Sequence, residues 1–150
     1  RVASVYNDIG EIYSVQGDDF KALDYFKKSL KIVLSVYGEN HSQVSSIYDH
    51  IGEIYFAQKD YSKALYYFEE SLKIRLSLFG ENHPEVALSY YSIGSLYIIQ
   101  GDKSKALNYY EKSLKIRLSV YGENHPLTKE IMDLINVANS KVLQSPETTK

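Results

Sequence analysis

Apolar residues recur along this chain at helical spacing, interrupted by short polar breaks. In the stretch that begins near residue 42, Val44, Ile47, Tyr48, Ile51, Ile54 and Tyr55 fall on one face of a helix. The pattern stops near Gln58, before Lys59-Asp60. The other units have Gly17-Asp18 and Gly101-Asp102 there, and glycine suits a helix C-terminus. A second stripe of Ala64, Leu65, Phe68, Leu72, Leu76 and Phe79 then runs from about Tyr61 to Phe79. Gly80 supplies the left-handed turn that closes a helix, and Pro84 opens the next at its first position. Each predicted helix is about 16–19 residues, roughly 25–28 Å long.

The pattern returns at a constant offset. Gly38-Glu39-Asn40-His41 recurs as Gly80-Glu81-Asn82-His83 and Gly122-Glu123-Asn124-His125, 42 residues apart each time. Tyr6, Tyr48 and Tyr90, Gly10, Gly52 and Gly94, and Ala22, Ala64 and Ala106 keep the same register. About 25 of 42 positions are identical between residues 43–84 and 85–126, which marks a tandem array. Breaks this short permit only antiparallel hairpins. Apolar stripes on successive hairpins are buried by stacking on neighbours.

The expectation is an all-α solenoid of α-helical hairpins: repeats at about 1–41, 42–83 and 84–125, then a C-terminal capping helix at 126–143. That last helix carries Ile131, Met132, Leu134, Ile135, Val137, Ala138 and Val142. It has Asn136 and Asn139 where the repeat glycine and tyrosine would stand, as suits a helix with nothing stacked beyond it. Residues 144–150 are polar with Pro146 and read as a disordered tail. Gly52 in a helix interior costs about 1 kcal/mol relative to alanine. Its recurrence predicts that the paired helix approaches closely there, with small Ala64 opposite.

Composition narrows the chemistry. The 150 residues are 44% hydrophobic and 24% charged, sufficient for one domain with a sizeable core and unlike a disordered chain. The absence of cysteine removes disulfides, zinc–thiolate sites and thiol nucleophiles together. A net charge of -2 gives no general attraction for nucleic acid or acidic membrane. No apolar run approaches the roughly 20 residues of a bilayer span. No Gly-rich phosphate loop or H-E-x-x-H motif is present, so neither an enzyme nor a cofactor is expected. His41, His83 and His125 sit one per repeat, too far apart to share a metal ion, and read as turn residues that cap the following helix. His50 reads as a surface or groove residue. The chain opens on Arg1 without a leader pattern and reads as a piece of a longer, cytoplasmic protein.

Charge is sided. The first helices of the repeats sum to about -4 through Arg1, Asp8, Glu11, Asp49, Glu53 and Glu85, and the second helices to about +7. The third repeat is the most basic, with Lys103, Lys105, Lys112, Lys115 and Arg117 against Glu111. These cations are expected on a solvated outer face, with a basic patch for acidic partners as the sharper alternative. Most of the 15 tyrosines are locked to the repeat and read as packing between hairpins.

The register Tyr48…Ile51-Gly52…Tyr55…Ala64…Phe68 resembles the signature of the tetratricopeptide repeat family, with Tyr48 where the first aromatic is often tryptophan. The 42-residue period and Gly80-Glu81-Asn82-His83-Pro84 are similar to the long-helix repeats of kinesin light chains. The resemblance covers residues 1 to about 143. It implies a right-handed superhelix whose first helices line a concave groove for an extended peptide or a partner helix. The function implied is a protein-interaction scaffold. A second reading is a regulatory or sensory segment of a larger protein.

Carried over by register, the groove has a first row of Asn7, Asp49 and Tyr91, a second of Glu11, Glu53 and Ser95, and a third of Ser14, Phe56 and Ile98, with Leu88 nearby. Only Asn7 matches the asparagine run of kinesin-light-chain grooves. The first two rows hold no Lys or Arg of the kind that clamps a C-terminal carboxylate. Glu11, Asp49 and Glu53 predict a preference for basic peptides, and Leu88, Phe56, Tyr91 and Ile98 an apolar wall for an anchor. The expected partner is a protein or peptide with basic and apolar side chains, not nucleic acid and not a membrane. On the first helix, Val2, Val5, Ile9 and Ile12 are expected to be only partly covered, a face suited to end-to-end self-association.

Overall fold

A computed structural model describes the backbone of residues 1–143 and the side chains of residues 1–140. The tail expected at 144–150 lies outside these described residues. Among them there are seven helices and no strand: α1 (Val2–Val15), α2 (Asp19–Tyr37), α3 (Ser42–Ala57), α4 (Tyr61–Phe79), α5 (Pro84–Ile99), α6 (Lys103–Tyr121) and α7 (Pro126–Leu143). They form two compact units. The first, Arg1–Gly80, holds α1 to α4, and the second begins at Glu81 and holds α5 to α7.

Local chemistry sets the helix ends. Asp18, Asp60 and Asp102 cap α2, α4 and α6, each carboxylate accepting the backbone N–H three residues on, from Lys21, Lys63 and Lys105. The same lysines lie 3.4, 3.6 and 3.8 Å from those carboxylates. Before α3, α5 and α7 the imidazole takes the capping role. Nδ1 of His41, His83 and His125 accepts from the backbone N–H of Gln43, Glu85 and Leu127, each at 3.1 Å. The capping expected of these histidines is therefore what the structure has. Gly38 and Gly80 close α2 and α4 at φ 80° and 77° with ψ near 180°. This is an extended region open essentially to glycine alone, rather than the left-handed helical turn expected. Lys59 stands in register with Gly17 and Gly101 and shares their positive φ, at 63°.

Within the first unit, α1 pairs with α2, α3 with α4, and α2 packs on α3. Its core is Ala22, Phe26, Val33, Val44, Ile47, Ile51, Ile54 and Ile74. In the second unit α5 pairs with α6, which packs on α7, burying Val86, Ile93, Leu96, Ile116 and Ile131. A Cβ on Gly52 would lie 2.7 Å from Cε1 of Phe68 and 3.4 Å from the Ala64 carbonyl oxygen. The close approach is as expected, but the tightest contact is the Phe68 ring rather than Ala64. Two buried hydroxyls each tie together the two helices of one hairpin: Ser29 donates to the Ala3 carbonyl at 2.7 Å, and Ser113 to the Ala87 carbonyl at 2.8 Å.

The tyrosine ring pairs lie within hairpins, whereas Tyr37 and Tyr121 stack on His41 and His125 ahead of the next helix, so the expected packing between hairpins holds only for some of them. Tyr13 stacks on Tyr25, Tyr55 on Tyr67 and Tyr97 on Tyr109, all with ring centroids 5.7 Å apart. The ammonium groups of Lys21, Lys63 and Lys105 sit over Tyr13, Tyr55 and Tyr97. The capping lysines thus bridge a carboxylate and a ring face, where cation–π attraction adds to the ion pair. On α1, Val2, Val5 and Ile12 are exposed and Ile9 is half-buried.

Candidate functional site

In the first unit, α1 carries Asn7, Glu11 and Ser14, and α3 carries Asp49, Glu53 and Phe56. The helical pitch brings Asn7 and Glu11 together: the Asn7 side-chain N–H donates to Glu11 Oε1 at 2.7 Å. His50 Nδ1 reaches the same oxygen at 3.6 Å and its ring meets Phe26 edge-on. His50 is therefore half-buried between Glu11 and Phe26.

Asp49 is not the free groove carboxylate that its row suggested. Its side chain is 15% exposed, and the Arg75 guanidinium donates to it at 2.6 Å from α4. Burial pushes the Asp49 carboxyl up, and Arg75 and the neighbouring Ser71 work against that push. Arg75 itself is buried. A carboxylate already paired in the interior has little left to offer a peptide. Glu53 remains exposed, although partial burial of its carboxyl raises its pKa, opposed by His50. Phe56 is half-buried edge-on to Tyr61, and Ser14 is half-buried. The acidic character of this surface thus rests on Glu11 and Glu53.

In the second unit, α5 carries Leu88, Tyr91, Ser95 and Ile98. Leu88 is exposed. Tyr91 lies half-buried beside Tyr110, with the Arg117 guanidinium 5.3 Å over its ring. Burial raises the Tyr91 phenol pKa, and Glu130 adds to the effect. Ser95 and the Tyr110 hydroxyl share a hydrogen bond of 3.1 Å. Ile98 lines a largely apolar cavity of about 270 Å³ with Tyr110, Leu134, Val137 and Ala138. Lys103 also lines it. Ser95 is therefore engaged internally, whereas Ile98 opens onto an apolar recess.

Arg117 also corrects the basic-patch reading. It is 4% exposed and donates to the Leu127 carbonyl at 3.0 Å, so it belongs to the interior. Burial lowers its pKa. Lys112 lies over the rings of Tyr90 and Tyr109. Sequence reasoning missed Arg75 and Arg117 as inward residues. The available signal was Val33, an apolar residue at the same register.

The model of the tetratricopeptide repeat family matches residues 1–77 and 46–119. The chain belongs to that family. Solved tetratricopeptide structures agree on the fold. BtubC (BKLC) from P. vanneervenii superposes with a TM-score of 0.77 at 20% identity, over 99% of this chain and 67% of that one. Putative kinesin light chain TPR-like repeats from Podosopora anserina give 0.79 at 16% identity, over 93% and 68%. The first TPR of Spaghetti (RPAP3), bound to the HSP90 peptide SRMEEVD, gives 0.68 at 16% identity, over 95% and 96%. At these identities the likeness is one of fold. No curated protein matches the tetratricopeptide array in sequence. Among the described residues, no helix is long and apolar enough to cross a membrane, and no group of His, Asp and Glu could hold a metal ion.

Proposed function

We propose that this tetratricopeptide array is a protein-interaction module of the kinesin-light-chain type, in which the first helices of each unit bind an extended peptide or a partner helix. The observation that carries the reading is the apolar recess at Ile98, with Leu88 exposed nearer the start of the same helix. An aliphatic or aromatic anchor fits it, since such pockets concentrate binding energy. Exposed Glu11 and Glu53 on the first unit favour Lys or Arg in the ligand. The solved tetratricopeptide repeat that carries a bound peptide supports this use of the fold.

Peptide-display selection on the whole chain tests the reading. The expected ligands combine basic residues with an apolar anchor. Glu11→Lys with Glu53→Lys should weaken them at low salt, and added salt should mask the difference, because exposed charges are screened over about 8–10 Å. Ile98→Ser should weaken them with little salt dependence. Selection of acidic peptides whose binding is lost on neutralising Lys112 and Lys115 would overturn the proposal.

A further inference from the structure

One face of α1 is left in solvent although its register is buried in the other first helices. Val2, Val5 and Ile12 are 58%, 52% and 56% exposed. Their equivalents on α3, Val44, Ile47 and Ile54, are 0%, 3% and 2% exposed. There α2 packs on α3, and Ala22, Phe26 and Val33 share one core with Val44, Ile47, Ile51 and Ile54. On α7 the equivalents Thr128, Ile131 and Ala138 are buried as well, and α6 packs on that helix. In both cases the covering element is the second helix of a hairpin.

The polar residues on this face say which helix suits it. The apolar recess of the second unit is lined by Ile98, Lys103 and Tyr110 of the α5–α6 hairpin and by Leu134, Val137 and Ala138 of α7. On α1 the equivalents of Leu134, Val137 and Ala138 are Asp8, Glu11 and Ile12. Asp8 and Glu11 are both exposed. A helix of the α6 type laid on α1 therefore brings the counterpart of Lys103 to two carboxylates, and opposite charges fix register and partner. A helix of the α2 type brings the counterpart of Asp19 there, and like charges oppose it. A second copy of this chain fits poorly on two counts. Its second-helix stripes are already buried, at Ala22 and Phe26, Ala64 and Phe68, and Ala106 and Tyr110. Two α1 faces laid together would also bring the Asp8 and Glu11 carboxylates of both copies to one interface.

We propose that the α1 face docks the second helix of a further tetratricopeptide hairpin, one of the α6 type with a cation at the register of Lys103. Removal of Val2, Val5 and Ile12 from water drives the docking, and the cation selects among helices of this kind. The face thus takes a folded helical repeat rather than an extended peptide or a second copy.

The test extends the full chain at its N-terminus with a second copy of residues 85–126, which meets Arg1 in register because Leu127 is the equivalent of Arg1. The urea midpoint should rise. The backbone amides of Val5, Ile9 and Ile12 should exchange at least about tenfold more slowly than in the parent chain. Val5→Asp should leave the parent midpoint nearly unchanged and lower that of the extended chain. Lys103→Asp in the appended copy alone, or extension with residues 1–42 instead, should protect α1 less. Aspartate suits that helical position, as Asp19 does at the start of α2, so the loss reports charge and not helix formation. Unchanged exchange in α1, or an appended hairpin that does not fold on it, would overturn the docking surface. Equal protection by the Lys103→Asp copy would overturn the α6 type as its occupant. A parent chain that dimerises with concentration, and loses the dimer on Val5→Asp, would make a second copy the occupant and overturn the proposal. These readouts involve no peptide ligand and are independent of the proposed peptide binding.

Discussion

Gly52→Ala sets two effects of known sign against each other. Inside a helix such as α3, alanine is favoured over glycine by about 1 kcal/mol. The added methyl would lie 2.7 and 2.8 Å from Cε1 and Cδ1 of Phe68 and 3.4 Å from the Ala64 carbonyl oxygen. Carbon atoms pack best at roughly 3.5–4.0 Å, so the ring has to retreat by about 1 Å. Phe68 is 4% exposed, and its flat ring has no flexible end to swing aside. Overpacking a core costs typically about 1–3 kcal/mol. Strain therefore outweighs propensity, and the expected net loss is about 1 kcal/mol, or a melting temperature lower by about 2–4 °C for a chain of this length. Urea denaturation followed by far-UV circular dichroism measures it. A double-mutant cycle with Phe68→Leu identifies the cause: the smaller side chain should be tolerated better in the Gly52→Ala background than beside Gly52, with a coupling of about 0.5–3 kcal/mol. A higher midpoint for Gly52→Ala alone, or strict additivity with Phe68→Leu, refutes the reasoning.

Lys59→Gly should stabilise the chain. A residue other than glycine at positive φ costs about 1–2 kcal/mol, and glycine returns only part of that in unfolded-state entropy, so the urea midpoint should rise by the equivalent of about 0.5–1 kcal/mol; a fall refutes it. Asp49→Ala removes one end of a 2.6 Å buried ion pair, and such losses cost about 3–5 kcal/mol. Asp49→Asn with Arg75→Val copies Asn7 and Val33 of the first repeat and should recover most of that loss in the same urea assay; a double variant no better than Asp49→Ala contradicts the pairing argument. Burial raises the phenols of Tyr48, Tyr67, Tyr90, Tyr91 and Tyr110 above their ordinary value of 10.0. The folded state holds these protons more tightly than the unfolded state. Their contribution is complete below pH 10 and is lost as pH rises through the higher folded values, so the thermal midpoint should drop above about pH 10 together with tyrosinate absorbance, and a flat midpoint refutes it.

Most of the fold was legible because its signals are repeated. The stripe from Ala64 to Phe79 sits on a helix that runs from Tyr61 to Phe79, and Pro84 and Pro126 open α5 and α7. Three copies in register let chance apolar matches be discarded. The aspartate caps are a signal of the same kind: Asp18, Asp60 and Asp102 recur as regularly as any core residue, directly after Gly17, Lys59 and Gly101. The ring partners of the tyrosines are not legible in the same way. Periodicity identifies a buried position but not which neighbour buries it. Tyr25 lies within contact distance of Tyr6 and Tyr13 of its own hairpin.

The candidate site is less legible because net charge per helix reports the surface only in part. It reports the surface when long cations stand on the outer face, as Lys21 and Lys63 do. It fails where one register position alternates between apolar and basic residues. Val33, Arg75 and Arg117 share that position, and a place that tolerates valine in one repeat is an interior place in all of them. A guanidinium enters it only with a compensating group nearby, since an unpaired buried charge is not sustained. The facing register changes accordingly: Asn7 opposite Val33, Asp49 beneath Arg75, the Tyr91 ring under Arg117. Reading the two registers jointly turns an apparent groove acid and an apparent surface base into one internal pair. It also moves the acidic character of this surface onto Glu11 and Glu53, the carboxylates that stay exposed.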